Sequence, residues 1–167
     1  MPHDLTAPLW PTKGDRYFSD LRLTVRRQNG QTCVATTLAM LTGESPEAFI
    51  GTMNTQDPVS WSETLRPYGM KLAYCPTDVR RLRFYAAELE ELDDLFLLCY
   101  YSPVDSSILN DPRDDGWVCG SHVVTLLRHR VYDTQTGRPC DLEAHGCLEH
   151  FTKRIFRVVP ADHPRGL

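Results

Sequence analysis

The stretch Arg27-Gln-Asn-Gly-Gln-Thr-Cys33-Val-Ala-Thr-Thr-Leu-Ala-Met-Leu-Thr-Gly43 runs a polar loop directly into an amphipathic segment. Val34, Leu38 and Leu41 fall at i, i+4 and i+7, the stripe of a helix. Gly43 stands where such a helix ends. Cys33 then sits on the first turn. A helix N-terminus carries roughly half a positive charge and unpaired N–H groups. That environment favours thiolate over thiol, and the thiolate is the nucleophilic form of cysteine. Gln28, five residues upstream, is near enough to aim an amide N–H at an oxyanion beside Cys33. The Cys33 backbone N–H is the expected second donor. Asn29 and Gln31 are rivals for the Gln28 role.

A base is supplied by the second informative stretch, Gly116-Trp-Val-Cys-Gly120-Ser-His122-Val-Val-Thr-Leu-Leu-Arg-His-Arg-Val-Tyr-Asp133. His122 opens an apolar strand that turns near Arg128-His129. A turn centred between those two residues pairs Val124 with Asp133 and makes His122 a diagonal neighbour on the same face, about 7–8 Å away. A three-residue loop would send Asp133 to the other face. Arg128-His129 lacks the Asn or Gly of a two-residue type I′ turn, so a four-residue loop with the same centre is expected. The roles follow: Cys33 as nucleophile, His122 as general base and acid, Asp133 orienting the imidazole, and Gln28 lining the oxyanion hole.

Each residue also has an ordinary reading. Cysteines are often simply buried, a strand histidine is often just satisfied, Asp is common near turns, and Gln28 lies in a loop. Trp117 fits either a shield over the His–Asp pair or a core position. Cys119-x2-His122 and Cys140-x4-His145-x-Cys147-x2-His150 offer zinc-type ligands. Their spacing does not match paired CxxC motifs, so no metal is expected. Arg80, Arg81 and Arg83 read as a solvated helix face.

These groups need a scaffold. The 167 residues suffice for one domain, with 41% hydrophobic and 24% charged residues, ordinary globular usage that excludes disordered, collagen-like and coiled-coil chains. A net charge of −4 gives no global basic footprint for nucleic acid. No apolar run approaches the roughly 18 residues of a membrane span, and no Sec signal peptide is legible. The expectation is a cytoplasmic protein, or one delivered by a leaderless route, whose six cysteines stay reduced.

Short helices are expected at Thr32–Leu41, from Ser45-Pro46, and from Ser60 to about Pro67. A longer one, capped by Thr77 or Asp78, carries Val79, Leu82, Ala86 and Leu89. Met70–Tyr74 is a strand, and Leu95–Tyr101, apolar on both faces, is a central one. Residues 102–116 form a polar loop. Ser121–Leu127 and Arg130–Thr134 make a hairpin, 141–151 holds a short helix, and Arg154–Val159 closes the sheet. The whole is an α+β domain over 1–167, with residues 1–22 an extended lead-in and 160–167 a short tail.

Gln28, Thr32-Cys33-Val-Ala, Leu38-Ala-Met-Leu-Thr-Gly43, Gly120-Ser-His122-Val-Val and Val131-Tyr-Asp133, in this order, resemble the papain-like cysteine peptidases. The likeness is greatest to the small bacterial and phage proteins of the C39-like group, and it spans about residues 25–135. Two positions differ from the family: one residue fewer separates Gln28 from Cys33 than is usual, and Val34 replaces the common glycine. The resemblance implies a papain-like fold, with N-terminal helices led by the nucleophile helix and packed on a C-terminal antiparallel sheet. It implies a cysteine protease-like hydrolase acting on a peptide, isopeptide or side-chain amide, without metal or organic cofactor, and a protein or peptide as partner rather than nucleic acid or membrane. The same residues serve a deamidase or acyltransferase. A catalytically silent binding module, such as an effector or phage accessory protein, is the alternative of another class. Oligomeric state is not legible.

Overall fold

A computed structural model describes residues 7–105 and 117–167, with backbone alone for 103–105 and 117–119. The helices are α1 (Cys33–Thr42), α2 (Pro58–Leu65) and α3 (Ala86–Leu92). The strands are β1 (Met70–Cys75), β2 (Leu95–Asp105), β3 (Trp117–Leu127), β4 (Arg130–Asp133), β5 (Arg138–Asp141) and β6 (Thr152–Pro160). They form one antiparallel sheet in the order β1-β6-β2-β3-β4-β5. The chain is thus α+β.

β2 is central because both its faces are apolar. Leu95, Leu97 and Cys99 meet Val34, Leu38 and Leu41 of α1 and Trp61 and Leu65 of α2. Phe96, Leu98 and Tyr100 meet Leu89 and Leu92 of α3, together with Leu9, Trp10, Leu142 and Leu148. Helical layers therefore cover both faces, with α1 and α2 on one side and α3 on the other. α1 ends as expected, with Gly43 at φ 80° donating to the Ala39 carbonyl.

The lead-in is pinned by a buried ion pair. Asp94 and Arg157, both fully buried, meet at 2.7 Å. Asp94 also accepts the backbone N–H groups of Tyr17 and Phe18. The Arg157 guanidinium packs against the rings of Trp10, Tyr17 and Phe96.

Four local expectations are refined. The helix expected from Thr77 or Asp78 begins only as a 3-10 turn at Leu82–Tyr85, leading into α3, and Val79 is 67% exposed. Arg81 is instead extended and bridges Phe151, with the Leu82 N–H donating to the His150 carbonyl and the Thr152 N–H to the Arg80 carbonyl. The 141–151 region holds two 3-10 turns, Leu142–Ala144 and Gly146–Glu149. They follow strand β5, whose Pro139 gave no strand signal but is tolerated on the outermost strand of the sheet. Third, Leu127 pairs directly with Arg130, so the β3–β4 turn has two residues rather than four. Arg128 takes φ 62°; its N–H donates to the Asp94 carbonyl at 2.8 Å and its guanidinium bonds the Asp93 carboxylate. These ties hold a residue that the turn would otherwise disfavour. The loop expected over 102–116 is shorter at its start, since β2 and β3 stay paired as far as Asp105 and Trp117; 106–116 lie outside the described residues.

Candidate active site

Cys33 is the first residue of α1. Its own N–H therefore has no intrahelical acceptor. The loop before it is closed by Thr32, whose hydroxyl donates to the Asn29 carbonyl and accepts the Asn29 N–H. Val34, where the family resemblance has glycine, turns inward and is 8% exposed in the core beneath α1. Cys33 stays at the rim, half-buried.

The hairpin register brings the other two residues together. Thr125↔Tyr132, Leu126↔Val131 and Leu127↔Arg130 are the paired positions, the centring between residues 128 and 129 that the sequence required. His122 and Asp133 consequently share a face, and Nε2 of His122 lies 2.7 Å from Oδ1 of Asp133. Both are almost fully buried, at 6% and 5% exposure. Cys33 lines the same cleft as His122, and its side chain favours the charged form of the imidazole.

Burial by itself would strip His122 of its proton. The Asp133 carboxylate and the Cys33 side chain outweigh it and raise the imidazole to about 9. Burial likewise opposes charge on Asp133, but hydrogen bonds from His122, His145 and the Gln135 N–H hold its carboxyl well below the usual range. Among the other described thiols, burial pushes Cys75, Cys99 and Cys147 up to about 12 and also raises Cys140. Those sulfurs are poorly placed for nucleophilic work.

Gln28 sits beside this set. Its backbone N–H donates to the Thr134 carbonyl at 2.7 Å, and its Oε1 accepts the Thr134 hydroxyl at 2.7 Å. The loop before α1 is thereby tied to the residue following Asp133. One Nε2 hydrogen goes to the Gly30 carbonyl at 2.8 Å. The amide has a second N–H, and Gln28 lines the same cleft as Cys33 and His122. Gln31 lines it as well, whereas Asn29 is engaged with Thr32. The cleft measures about 690 Å³, room for an extended peptide segment or a side-chain amide. Its walls are the N-terminus of α1, the 50–61 region with Ile50 and Trp61, and the sheet surface at Tyr101, Ser121 and Val123.

His145 is a member of the site that catalytic reasoning from the sequence missed. Its Nε2 lies 2.8 Å from Oδ2 of Asp133. Its Nδ1 accepts the Cys147 N–H at 2.9 Å, which fixes the ring's proton on Nε2. Asp133 thus holds one imidazole on each oxygen. The only sequence signal at His145 was the zinc-type spacing, and that reading gains no support here, since both ring nitrogens are already engaged. His150 stacks on Tyr100 at 5.1 Å, and Tyr100 in turn packs edge-on against His122 at 5.7 Å. Among the described residues no group of three or more His, Cys, Asp or Glu is arranged to hold a metal ion. The side chains of Trp117 and Cys119 lie outside the described residues. Arg83 bonds the exposed Glu149 carboxylate, and Arg80 that of Asp78.

Compared with protein-family models, curated proteins and solved structures, the chain matches none of them. No helix among the described residues is long and apolar enough to cross a membrane.

Proposed function

We propose that the chain is a papain-like cysteine hydrolase cleaving a peptide, isopeptide or side-chain amide bond. The observation that carries this reading is the buried His122–Asp133 pair, with Nε2 and Oδ1 at 2.7 Å, in the same cleft as Cys33 at the start of α1. The Cys33 sulfur adds to the amide carbonyl, and the oxyanion is met by the Cys33 backbone N–H and the Gln28 amide. As the C–N bond breaks, His122 passes its proton to the leaving amine and a thioester remains on Cys33. Water, deprotonated by His122, then adds to the thioester; the acid departs and the thiol is restored. Asp133 keeps the imidazole oriented and stabilises its cation. A protein or peptide is the partner, and the reaction calls for no metal or organic cofactor. With an amine in place of water the same residues perform acyl transfer, and with a glutamine side chain as substrate they deamidate.

The test is a panel of peptide, isopeptide and glutamine-amide reporters with native protein and Cys33→Ala. The expected result is amine or ammonia release by the native protein alone, with unchanged circular dichroism in the variant. Release by a folded Cys33→Ala contradicts the proposal. Release by neither protein favours a catalytically silent binding module of the same architecture.

A further inference from the structure

The alternation of β6 breaks where it enters the cleft. Cys99 pairs with Arg154, but Tyr100 pairs with Thr152, so Lys153 is the extra residue of a β-bulge. In a regular strand Lys153 and Arg154 would point to opposite faces. The bulge re-aims one of them, and both line the cleft beside Cys33 and His122. Lys153 is held there: its Nζ donates to the Ser121 hydroxyl at 3.3 Å and sits 5.8 Å from the centre of the Tyr101 ring. Six arginines elsewhere (16, 80, 83, 128, 130 and 157) have a carboxylate within ion-pair distance. Among the described residues, Lys153 and Arg154 have none, and the cleft lining contains no Asp or Glu. Two partly buried cations thus stand side by side in the cleft that holds Cys33, at a bulge and without a protein carboxylate. Such a pair attracts an anionic group and can bind it through charge-assisted hydrogen bonds.

We propose that the substrate amide carries a carboxylate close to the scissile carbonyl, and that Lys153 and Arg154 bind it. The carboxylate belongs either to an acidic side chain or to a free chain terminus. This assignment rests on Cys33 being the reacting group.

The measurement is the ratio of Cys33 alkylation by iodoacetate, an anion, to that by iodoacetamide, its neutral isostere, followed by peptide mass spectrometry. Native protein is compared with Lys153→Gln/Arg154→Gln and with Lys153→Arg/Arg154→Lys, using half-buried Cys140 as internal reference. The expected ratio in native protein exceeds that of the glutamine variant by about three- to ten-fold and shrinks as salt shortens the Debye length. The charge-preserving variant retains it. Iodoacetamide reactivity itself changes little, so failure of the thiol reading (Cys33 indifferent to both reagents) is distinguishable from failure of this one. Protection of Cys33 by N-acetylglutamic acid α-amide selects the acidic side chain, and protection by N-acetylalanine selects the free terminus. A ratio that is unchanged in the glutamine variant and insensitive to salt, or protection by neither compound, overturns the assignment.

Discussion

Asp133 accepts three donors: Nε2 of His122, Nε2 of His145 and the Gln135 N–H. An asparagine cannot replace it, because its NH₂ group would face one of those donors and leave that imidazole unpaired. We expect Asp133→Asn to lower stability by about 1–3 kcal/mol, the cost of a buried unsatisfied donor, and to move the His122 titration from about 9 down toward or below its ordinary value. An NMR titration of the His122 ring proton reads the shift; an unchanged midpoint would detach Asp133 from the imidazole. In the proposed reaction His145 acts through Asp133, as a positioning residue. We expect His145→Ala to weaken amide turnover and to shift its pH profile along with His122, while His145→Gln, which restores an N–H donor, recovers part of both. If His145→Ala destabilises the fold but leaves the pH profile in place, its role is structural only. Sequence pattern revealed Cys33, His122 and Asp133 because each begins or ends a periodic segment. His145 lies in aperiodic sequence between two 3-10 turns, where neither period nor parity bears on it.

At the scale of elements, the β3–β4 hairpin fixes the site. Strand parity set the shared face of His122 and Asp133, and any odd loop would have separated them. The turn length was not legible, because the support for Arg128 at φ 62° comes from Asp93 and Asp94, some 35 residues away in the chain. The same long-range character hid the extended Arg81, where a bridge to Phe151 overrides local helical periodicity. The bulge at Lys153 was hidden too, since it exists only in the pairing with β2. By contrast, α1 and β2 were legible because a clear stripe and a doubly apolar run each permit one arrangement. Asp94 links several elements at once, bonding Arg157 on β6 and the N–H groups of Tyr17 and Phe18. Removing it leaves a buried guanidinium without its counter-charge. Asp94→Ala should therefore cost about 3–5 kcal/mol, read as a lower urea midpoint. A loss under about 1 kcal/mol would mean that the pair behaves like a surface salt bridge.

For the whole molecule, the His122–Asp133 pair couples stability to pH. Asp133 has a lowered folded value, so its contribution is complete above its unfolded value of 3.8 and is lost as pH falls below it. His122 has a raised folded value, so its contribution is complete below 6.5 and is lost as pH rises through about 9. The pair is therefore most stabilising between these limits, with a decline on the order of 2–3 kcal/mol across the alkaline limb. Part of that limb comes from the Cys33 side chain, so thermal melts of Cys33→Ala should show a shallower alkaline decline than native protein. An equal or steeper decline would remove Cys33 from contact with the ring. The central claim, that Cys33 and His122 act as one unit, is tested most directly by iodoacetamide alkylation of every cysteine near neutral pH, in native protein and in His122→Ala. The account predicts that Cys33 reacts faster than Cys75, Cys99, Cys140 and Cys147 in native protein and loses most of that advantage in the variant. Cys33 inert in native protein, or equally fast without His122, would contradict it.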